Sequence, residues 1–393
     1  MTGGVLRKVK IVLELFGMRY YCYHMPNSPP DPTDETLPDQ AIKGRGAVSN
    51  RVSRYFREER QRTADGWDTP EDEDLPPLRT TVSVDTTKTI IARNQSPDIP
   101  FDRSINPYRG CEHGCIYCFA RPTHAYLGLS PGLDFETKLL MKPEAARLLE
   151  QELRKPGYKP AVIAMGTNTD PYQPIEREHR ITRGILEVLS AFNHPVGIVT
   201  KSALIQRDID ILGEMARDNL AVVTVSVTTL DRDLARRMEP RAATPERRLE
   251  TIAALAAAGV PAGVLAAPMI PALNDREMER ILEKAREAGA SVAGYTLLRL
   301  PLELKALFRE WLEEHEPQKS SHVLSLVAQC HGGRLYDSAW SKRMTGGGPY
   351  AEMLAARFDR ACRRLGFGPR LNYPLDTTRF RPPPQKGDQL ALF

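Results

Sequence analysis

The sequence predicts an α/β protein built on a parallel β-sheet, and two observations support that prediction. Short apolar runs rich in β-branched residues alternate with amphipathic helical patterns along the middle of the chain. Alternation at this spacing is typical of βαβ units, in which each helix connects two parallel strands. Hydrophobic residues make up 41% of the chain and charged residues 26%, which is the balance of a globular protein that buries a sizeable core.

Six strands and five connecting helices are predicted in order along the chain. The strands are Ser104–Tyr108, Ala161–Met165, Val196–Thr200, Ala221–Val227, Val260–Ala267 and Ser291–Leu298. The helices are Pro143–Arg154, Arg180–Phe192, Ile205–Asn219, Pro245–Ala258 and Asp275–Ala288. Six such units fit either an open doubly wound sheet or a partial barrel, and both folds place their chemistry at the carboxyl ends of the strands.

The segment before this core changes character several times. Residues 1–40 end in a stretch rich in Pro and Asp and are predicted to be a disordered extension. Residues 41–99 are predicted to contain one amphipathic basic helix at 47–62, an acidic linker at 64–78 and a strand at 80–92.

The α/β core is expected to occupy residues 100–300, and two further segments follow it. Residues 301–381 are predicted to form a basic helical region that includes a helix around Ala351–Leu365. Residues 382–393 are predicted to form a flexible tail.

Charge and cysteine usage limit the class of protein. Lys and Arg outnumber Asp and Glu by eleven to four between Arg334 and Lys386, and residues 43–62 are also basic. Such flanks suit a polyanion such as nucleic acid, although a solvated helix face is the alternative. No apolar run reaches the roughly 18 residues of a membrane span, so no membrane partner is expected. The six cysteines do not form a secreted disulfide framework, which predicts a reducing compartment, the cytoplasm.

Three of the cysteines lie close together in a loop that follows the first strand of the core. The loop reads Gly110-Cys111-Glu112-His113-Gly114-Cys115-Ile116-Tyr117-Cys118. Thiolates suit iron–sulfur clusters and zinc. A cubane held by four cysteines carries electrons, whereas Cys-x3-Cys-x2-Cys without a fourth cysteine nearby leaves one iron open to bind a substrate. Cys111, Cys115 and Cys118 are therefore the predicted ligands of a [4Fe–4S] cluster.

The alternative for this loop is a zinc site in which His113 or His124 joins the three cysteines. Zinc takes four tetrahedral ligands, usually from paired Cys-x2-Cys knuckles, and the sequence contains no second knuckle. The spacing favours the cluster. A zinc-bound module that binds nucleic acid without catalysis remains an alternative function.

The loop resembles the signature of the radical S-adenosylmethionine (SAM) superfamily, including the aromatic residue Tyr117 before the last cysteine. The resemblance implies a partial (β/α)6 TIM-like barrel, here with N- and C-terminal extensions. It implies a [4Fe–4S] cluster whose open iron binds SAM, and an external one-electron reductant for that cluster. Reductive cleavage of SAM would then yield a 5′-deoxyadenosyl radical, which abstracts a hydrogen atom.

The wider sequence resembles one branch of that superfamily, spore photoproduct lyase and its relatives, which are often called DNA repair photolyases. The residues that carry this likeness are Asn106-Pro107-Tyr108-Arg109-Gly110-Cys111 and Cys118-Phe119-Ala120-Arg121. The resemblance implies a lyase-like enzyme that acts on nucleic acid in DNA repair. A radical SAM enzyme that modifies RNA or a protein side chain is the alternative.

The barrel also suggests which residues contact SAM, since polar side chains follow several predicted strands. The candidates are Tyr117, Thr169, Lys201 and Ser226. Lys201 would pair with the SAM carboxylate and Ser226 would reach a ribose hydroxyl. For each of these residues, a strand-end cap or a solvated polar residue is the alternative. Further candidates at the strand ends are Asp170, Glu176 and Arg241.

One departure from the lyase pattern concerns the hydrogen donor. The lyase has a cysteine at the end of its second strand, whereas the comparable position here is near Thr167. No cysteine lies between Cys118 and Cys330, and a hydroxyl donates hydrogen atoms far less readily than a thiol. The resemblance thus implies the radical-forming chemistry and leaves the final reaction and its catalytic residues open. Cys330 and Cys362 are predicted to be buried structural cysteines.

The last five residues, Gln389-Leu390-Ala391-Leu392-Phe393, resemble the short peptide by which bacterial repair and replication proteins bind the DNA sliding clamp. Gln389 offers an amide, while Leu390, Leu392 and Phe393 are apolar anchors for a groove on a partner. A Pro-rich leash precedes them. Packing of this peptide against the barrel is the alternative. A clamp partner would agree with the basic flanks and the lyase resemblance.

Overall fold

The computed structural model describes residues 41–55, 78–368 and 373–385. The strands in these residues are β1 (Thr81–Val84), β2 (Ile91–Arg93), β3 (Arg103–Ile105), β4 (Tyr108–Arg109), β5 (Lys138–Met141), β6 (Ile163–Met165), β7 (Val196–Thr200), β8 (Ala221–Ser226), β9 (Ala262–Met269) and β10 (Val292–Leu297). The α-helices are α1 (Asp134–Thr137), α2 (Ala145–Leu153), α3 (Glu176–His179), α4 (Ile181–Ala191), α5 (Ile209–Arg217), α6 (Arg232–Met238), α7 (Pro245–Ala257), α8 (Met278–Glu287), α9 (Leu304–His315), α10 (Ser320–Cys330) and α11 (Pro349–Leu365). None of these helices combines the length and the apolar composition that a membrane span requires.

Six parallel strands form the main sheet, in the order in which they follow one another along the chain. The sheet runs β10-β9-β8-β7-β6-β3-β2, and β2 at its edge is antiparallel to β3. A doubly wound sheet reverses its strand order in the middle, whereas strands added in one direction by right-handed crossovers curl into part of a barrel. The strand order therefore confirms the partial barrel. Among the described strands β10 pairs with β9 alone, so the barrel is open between β10 and β2.

The two faces of this sheet are lined by alternate residues of each strand. Val196 and Ile198 of β7 face the helices and are at most 1% exposed. On that outer face α2 contacts α4, α4 contacts α5, α7 contacts α8, and α8 contacts α11. Because side chains alternate along a strand, Gly197, Thr224 and Gly263 lie on the inner face. The same register places Val222 and Leu265 on this concave face, so glycines and larger side chains share it.

The basic helix predicted at 47–62 is wrong over the residues that the structure describes. Residues 47–55 form turns and extended backbone, and residues 56–62 lie outside the described part of the chain. The backbone N–H groups of Gly46 and Ala47 donate to the Glu136 carboxylate at 3.0 and 2.8 Å, far away in the sequence. Bonds between this segment and distant residues therefore outweigh its local helical periodicity.

Two predicted strands each divide between two sheets. The strand predicted at 104–108 ends at Ile105, and the chain resumes as β4 in a second sheet of order β1-β5-β4. Pro107 lies at the break and has no N–H to donate to a ladder. The strand predicted at 80–92 similarly supplies β1 to the smaller sheet and β2 to the main one.

The other predicted strands and helices are confirmed to within two residues at each end when the 3₁₀ turns that precede two of the helices are counted. Two helices, those predicted at 205–219 and 275–288, begin with 3₁₀ turns at Ala203–Asp208 and Asp275–Glu277.

Both basic flanks direct part of their charge into the protein. Arginines of the segment 41–55 and of α11 pair with carboxylates on other helices and loops. These pairs are Arg51–Glu310, Arg54–Glu303, Arg357–Glu279 and Arg364–Glu283. At these positions the flanks therefore stabilise the fold and are not free cationic surface.

After α11 the chain returns to the amino ends of the barrel strands, opposite the cysteine loop. The N–H of Arg381 donates to Phe192 O at 2.9 Å, and Arg154 Nη1 donates to Pro383 O at 2.9 Å. Phe380 packs against the rings of Tyr158 and His194. The tail is thus bound as far as Pro383. The predicted clamp peptide at 389–393 lies outside the described residues.

Candidate functional site

The cysteine loop leaves β4 at the carboxyl ends of the barrel strands, and two glycines determine its shape. Gly110 and Gly114 adopt φ values of +77° and +67°. A Cβ on Gly110 would lie 2.6 Å from Leu139 Cδ2, and one on Gly114 would lie 2.8 Å from Glu136 Oε2. Both the left-handed backbone and the lack of space therefore require glycine at these positions.

A buried ion pair holds the loop from beneath. The side chains of Arg121 and Glu136 are both 0% exposed and bond to each other. Arg121 also donates to the carbonyls of Cys115, Gly114, Pro131 and Gly132 at 2.9–3.2 Å. Glu136 in turn accepts the two N–H groups from residues 46–47 described above. The pair thus fixes the backbone of the cysteine loop against both flanking segments.

The three thiols lie close enough to affect one another's ionisation. Cys111 and Cys115 are buried and Cys118 is half-buried. Burial raises the pKa of each of the three thiols, and for Cys111 the neighbouring Asp170 and Cys115 raise it further. Buried thiolates need positive charge beside them, and the irons of a cluster or a metal ion supply it. The donor set therefore fits a metal group bound through sulfur.

The two histidines of the zinc alternative have other partners. His113 Nδ1 lies 3.3 Å from Asp170 Oδ2, and His124 Nε2 donates to Lys138 O at 2.9 Å. Among the described residues, no three His, Cys, Asp or Glu side chains are arranged to hold a single metal ion. Each histidine is therefore bound to another residue through one of its ring nitrogens.

Three of the four predicted SAM contacts come together beside the thiols. Lys201 Nζ donates to Ser226 Oγ at 2.6 Å and lies 5.7 Å from the centroid of the Tyr117 ring. Burial lowers the pKa of Lys201, while the nearby Cys115 raises it. Ser226 is 2% exposed and donates to Ala267 O at 3.2 Å. These side chains form one polar group at the ends of β7 and β8.

Three residues that sequence reasoning missed complete this group. The Tyr117 hydroxyl lies 3.0 Å from Thr228 Oγ1, and Thr228 donates to Glu239 Oε1 at 2.6 Å. Glu239 is buried and pairs with Arg248, which also donates to Ser226 O at 3.1 Å. Glu239 lies after α6 and Arg248 within α7, so only the folded chain brings them to the strand ends.

The fourth predicted contact, Thr169, lies at the end of β6 and is 6% exposed. Its hydroxyl donates to Tyr108 O at 3.4 Å, so this side chain fixes the strand that enters the cysteine loop. The next residue, Asp170, joins the two parts of the site. Its carboxylate accepts from Lys201 N and Thr200 Oγ1, both at 2.7 Å, and lies beside His113. Burial alone raises the pKa of Asp170, but His113 and these donors hold it below its usual value.

The other two further candidates, Glu176 and Arg241, bind neighbouring residues of the scaffold. Glu176 is buried, accepts from Tyr108 at 2.6 Å and pairs with Arg207. Arg241 lies at the cysteine loop, where its guanidinium is 3.1 Å from Glu112 and its N–H donates to His113 O.

At the position compared with the lyase cysteine, an amide and a hydroxyl bind each other. Asn106 Nδ2 donates to Thr167 Oγ1 at 3.1 Å, and Asn106 Oδ1 accepts from Asn168 N at 3.0 Å. Cys330 is 2% exposed and packs in the core, as predicted, and Cys362 is partly buried on α11.

Comparison with known families gives one match in the core of the chain. The profile of the Radical SAM superfamily matches residues 105–285. The matched region begins at the end of β3 and closes within α8, so it contains the cysteine loop and the group around Lys201.

Related sequences include a bacterial and an archaeal protein. An uncharacterised protein of Mycobacterium tuberculosis is 38% identical over 240 residues, which are 60% of this chain and 71% of that protein. An uncharacterised protein of Methanocaldococcus jannaschii is 25% identical over 224 residues, covering 57% of this chain and 80% of that protein.

Among solved structures, the fold is similar to that of spore photoproduct lyase. The lyase complexed with dinucleoside spore photoproduct superposes with a TM-score of 0.52 at 14% identity, and a mutant of the lyase with one tyrosine replaced by phenylalanine superposes with a TM-score of 0.51 at 16% identity. Each match covers 72% of this chain and 78% of the lyase chain.

Proposed function

This chain belongs to the radical SAM superfamily, whose enzymes use a [4Fe–4S] cluster and SAM, and from that premise we propose that it acts on nucleic acid in DNA repair. The cluster ligands in the proposal are Cys111, Cys115 and Cys118. The observation that supports them is the loop itself, which places three neighbouring thiols at the carboxyl ends of the strands. The Cys-x3-Cys-x2-Cys motif of this loop contains no fourth cysteine.

When bound, the cluster and SAM would supply a 5′-deoxyadenosyl radical, formed together with methionine by one-electron reduction of SAM, for hydrogen-atom abstraction from the substrate. An external one-electron reductant is part of the proposal, and the cytoplasm is its proposed compartment.

The residues of this chain would bind and orient SAM. The Lys201 ammonium already lies beside a ring and a hydroxyl, and it would turn from Ser226 Oγ to the SAM carboxylate. Ser226 would then be free to meet a ribose hydroxyl. Tyr117 would supply an apolar wall whose hydroxyl is fixed by Thr228. Thr169 would contribute through the backbone that it holds at the start of the cysteine loop.

One observation supports a nucleic-acid substrate. The lyase with the similar fold has been solved with a dinucleoside photoproduct bound. The polar pair Asn106–Thr167 replaces the lyase cysteine, so we propose a reaction that ends differently from thymine-dimer reversal.

The test of the substrate is an anaerobic assay of the reconstituted, reduced protein with SAM. We expect 5′-deoxyadenosine to form faster with ultraviolet-irradiated duplex DNA than with the same duplex left undamaged. Equal rates with both duplexes, or a response to RNA or protein extracts instead, would contradict the DNA-repair proposal while leaving the radical chemistry intact.

We also propose the DNA sliding clamp as a partner, through Gln389, Leu390, Leu392 and Phe393. The described tail is bound at the amino ends of the strands as far as Pro383, on the side away from the cysteine loop. A peptide tethered there would contact a partner without covering the site. Pull-down with purified clamp should succeed with the full chain and fail after removal of residues 389–393. Equal recovery of the clamp with both chains, or with neither, would remove this partner.

A further inference from the structure

The connection between α10 and α11, residues 331–348, is long and crosses the open side of the barrel. The N–H of Leu297 in β10 donates to Met344 O at 2.9 Å. The adjacent residue, Arg343, forms a bidentate ion pair with Asp98, which lies between β2 and β3. The connection therefore joins the two edge regions of the main sheet. Loops longer than about 12–15 residues without helix or strand are uncommon in compact domains, and they are usually functional segments or linkers.

This connection exposes an aromatic ring between cationic side chains. Trp340 is 60% exposed, an unusual state for the largest side chain in a protein. Arg334 and Lys342 are exposed on the same connection, and its only carboxylate is Asp337. Hydrogen bonds from Lys342 N and Arg343 N to Ala339 O wind this stretch into turns, so Trp340 is held on ordered backbone.

Contacts lead from this connection to the cysteine loop. Arg299, just after β10, donates from Nη1 to the Met344 sulfur at 3.1 Å. Its guanidinium lies 4.6 Å from the centroid of the Phe119 ring, and Phe119 is the residue after Cys118. Phe119 is itself 42% exposed. Contacts thus lead from Phe119, next to the last cysteine, through Arg299 to Met344, four residues after Trp340.

We propose that the connection 331–348 binds an unpaired nucleotide next to the one that enters the barrel, with Trp340 stacked on its base. This inference rests on the proposed nucleic-acid substrate. Every base has an aromatic face, and that face is available to a tryptophan only where the base is unpaired or flipped out of the duplex. Arg334 and Lys342 neutralise neighbouring phosphates. Arg299 and Phe119 connect this segment to the cysteine loop.

The test measures binding of a fluorescein-labelled, single-stranded 12-mer of thymidylate to the reconstituted holoprotein by anisotropy. Trp340→Ala should weaken binding about 5- to 150-fold, because one stacked base is lost, without changing the slope of affinity against salt. Lys342→Gln should reduce that slope by about one phosphate contact. The matched control is Met353→Ala, which removes a side chain that is 42% exposed on α11 and should change neither quantity.

A second readout does not depend on the alanine variant folding normally. Stacking on a base quenches tryptophan emission, so the 12-mer should quench the wild-type protein more than Trp340→Phe, which retains an aromatic ring and most of the affinity. Equal quenching of both, together with equal affinity of wild type and Trp340→Ala, would overturn this inference and leave the proposed function standing. If the wild type binds neither the 12-mer nor irradiated duplex, the nucleic-acid substrate itself is wrong, and this inference falls with it.

Discussion

Replacing Arg121 by methionine should both destabilise the protein and reduce its capacity to hold a cluster. The substitution keeps the length of the side chain but leaves the Glu136 carboxylate buried without its cation, and four loop and turn carbonyls without their donor. Removing one partner of a buried ion pair costs about 3–5 kcal/mol. Since 1.4 kcal/mol corresponds to a factor of ten, the folding equilibrium should shift about 100- to 4000-fold towards the unfolded chain.

The assay compares urea unfolding of wild-type and variant apoprotein, followed by iron content after anaerobic reconstitution. Arg121→Lys keeps the charge but loses the planar fork, so it should lie between wild type and Arg121→Met in both measurements. Arg147→Met is the matched control, because its exposed pair with Glu144 is expected to contribute less than about 1 kcal/mol. A variant Arg121→Met that matches wild type in unfolding free energy and in bound iron would refute the idea that this pair fixes the loop.

Three further predictions follow from the packing and the charges. Gly46→Ala would place a Cβ 1.7 Å from Gly114 O, so we expect the segment 41–55 to move away from the cysteine loop. Proteolysis within this segment and loss of cluster absorbance in air should then both become faster. Unchanged rates of both would contradict this contact. Burial lowers the pKa of His194 from 6.5 to about 4, so its neutral form stabilises the fold fully above about pH 6.5, and this contribution is lost as the pH falls towards 4. At 1.36 kcal/mol per pH unit the loss is about 3 kcal/mol. The urea midpoint of His194→Gln should therefore fall less than that of the wild type as the pH is lowered. Equal dependence of the two midpoints on pH would contradict this role of His194. Lys201→Met should weaken SAM binding to the reconstituted protein about 10- to 150-fold, measured by equilibrium dialysis, while the iron content stays unchanged. An unaltered affinity for SAM would exclude the proposed pairing of Lys201 with the SAM carboxylate.

The strands of the barrel could be predicted because each is a short apolar run bounded by turn residues, and burial on the helix-facing side demands that pattern. The partial barrel is defined by the order of the strands in the sheet, and hydrophobic periodicity does not determine that order. The prediction of a barrel came instead from the resemblance of Cys111–Cys118 to the family signature. The helix at 47–62 was wrong for a physical reason. Its periodicity was real, but the Glu136 carboxylate binds the backbone near Gly46 in a conformation that no local pattern encodes.

At the site, sequence reasoning found the residues that follow strands and missed those that reach the strand ends from elsewhere. Lys201 and Ser226 were predictable because each stands at a strand terminus, where side chains of parallel strands converge. Glu239 and Arg248 lie after α6 and within α7, and their pairing depends on how those helices pack. Arg121 lies three residues after the last cysteine, but the sequence does not indicate its role. Only its burial and its hydrogen bonds in the folded chain show that it binds the cysteine loop.

The most direct test of cluster binding at Cys111, Cys115 and Cys118 is the formation of 5′-deoxyadenosine from SAM by the anaerobically reconstituted, reduced protein. We predict iron–sulfur absorbance near about 400 nm, about four irons per chain and deoxyadenosine in the wild type, all lost in Cys115→Ala. A protein that takes up zinc in place of iron, or whose deoxyadenosine formation survives Cys115→Ala, would contradict this assignment of the cysteine loop.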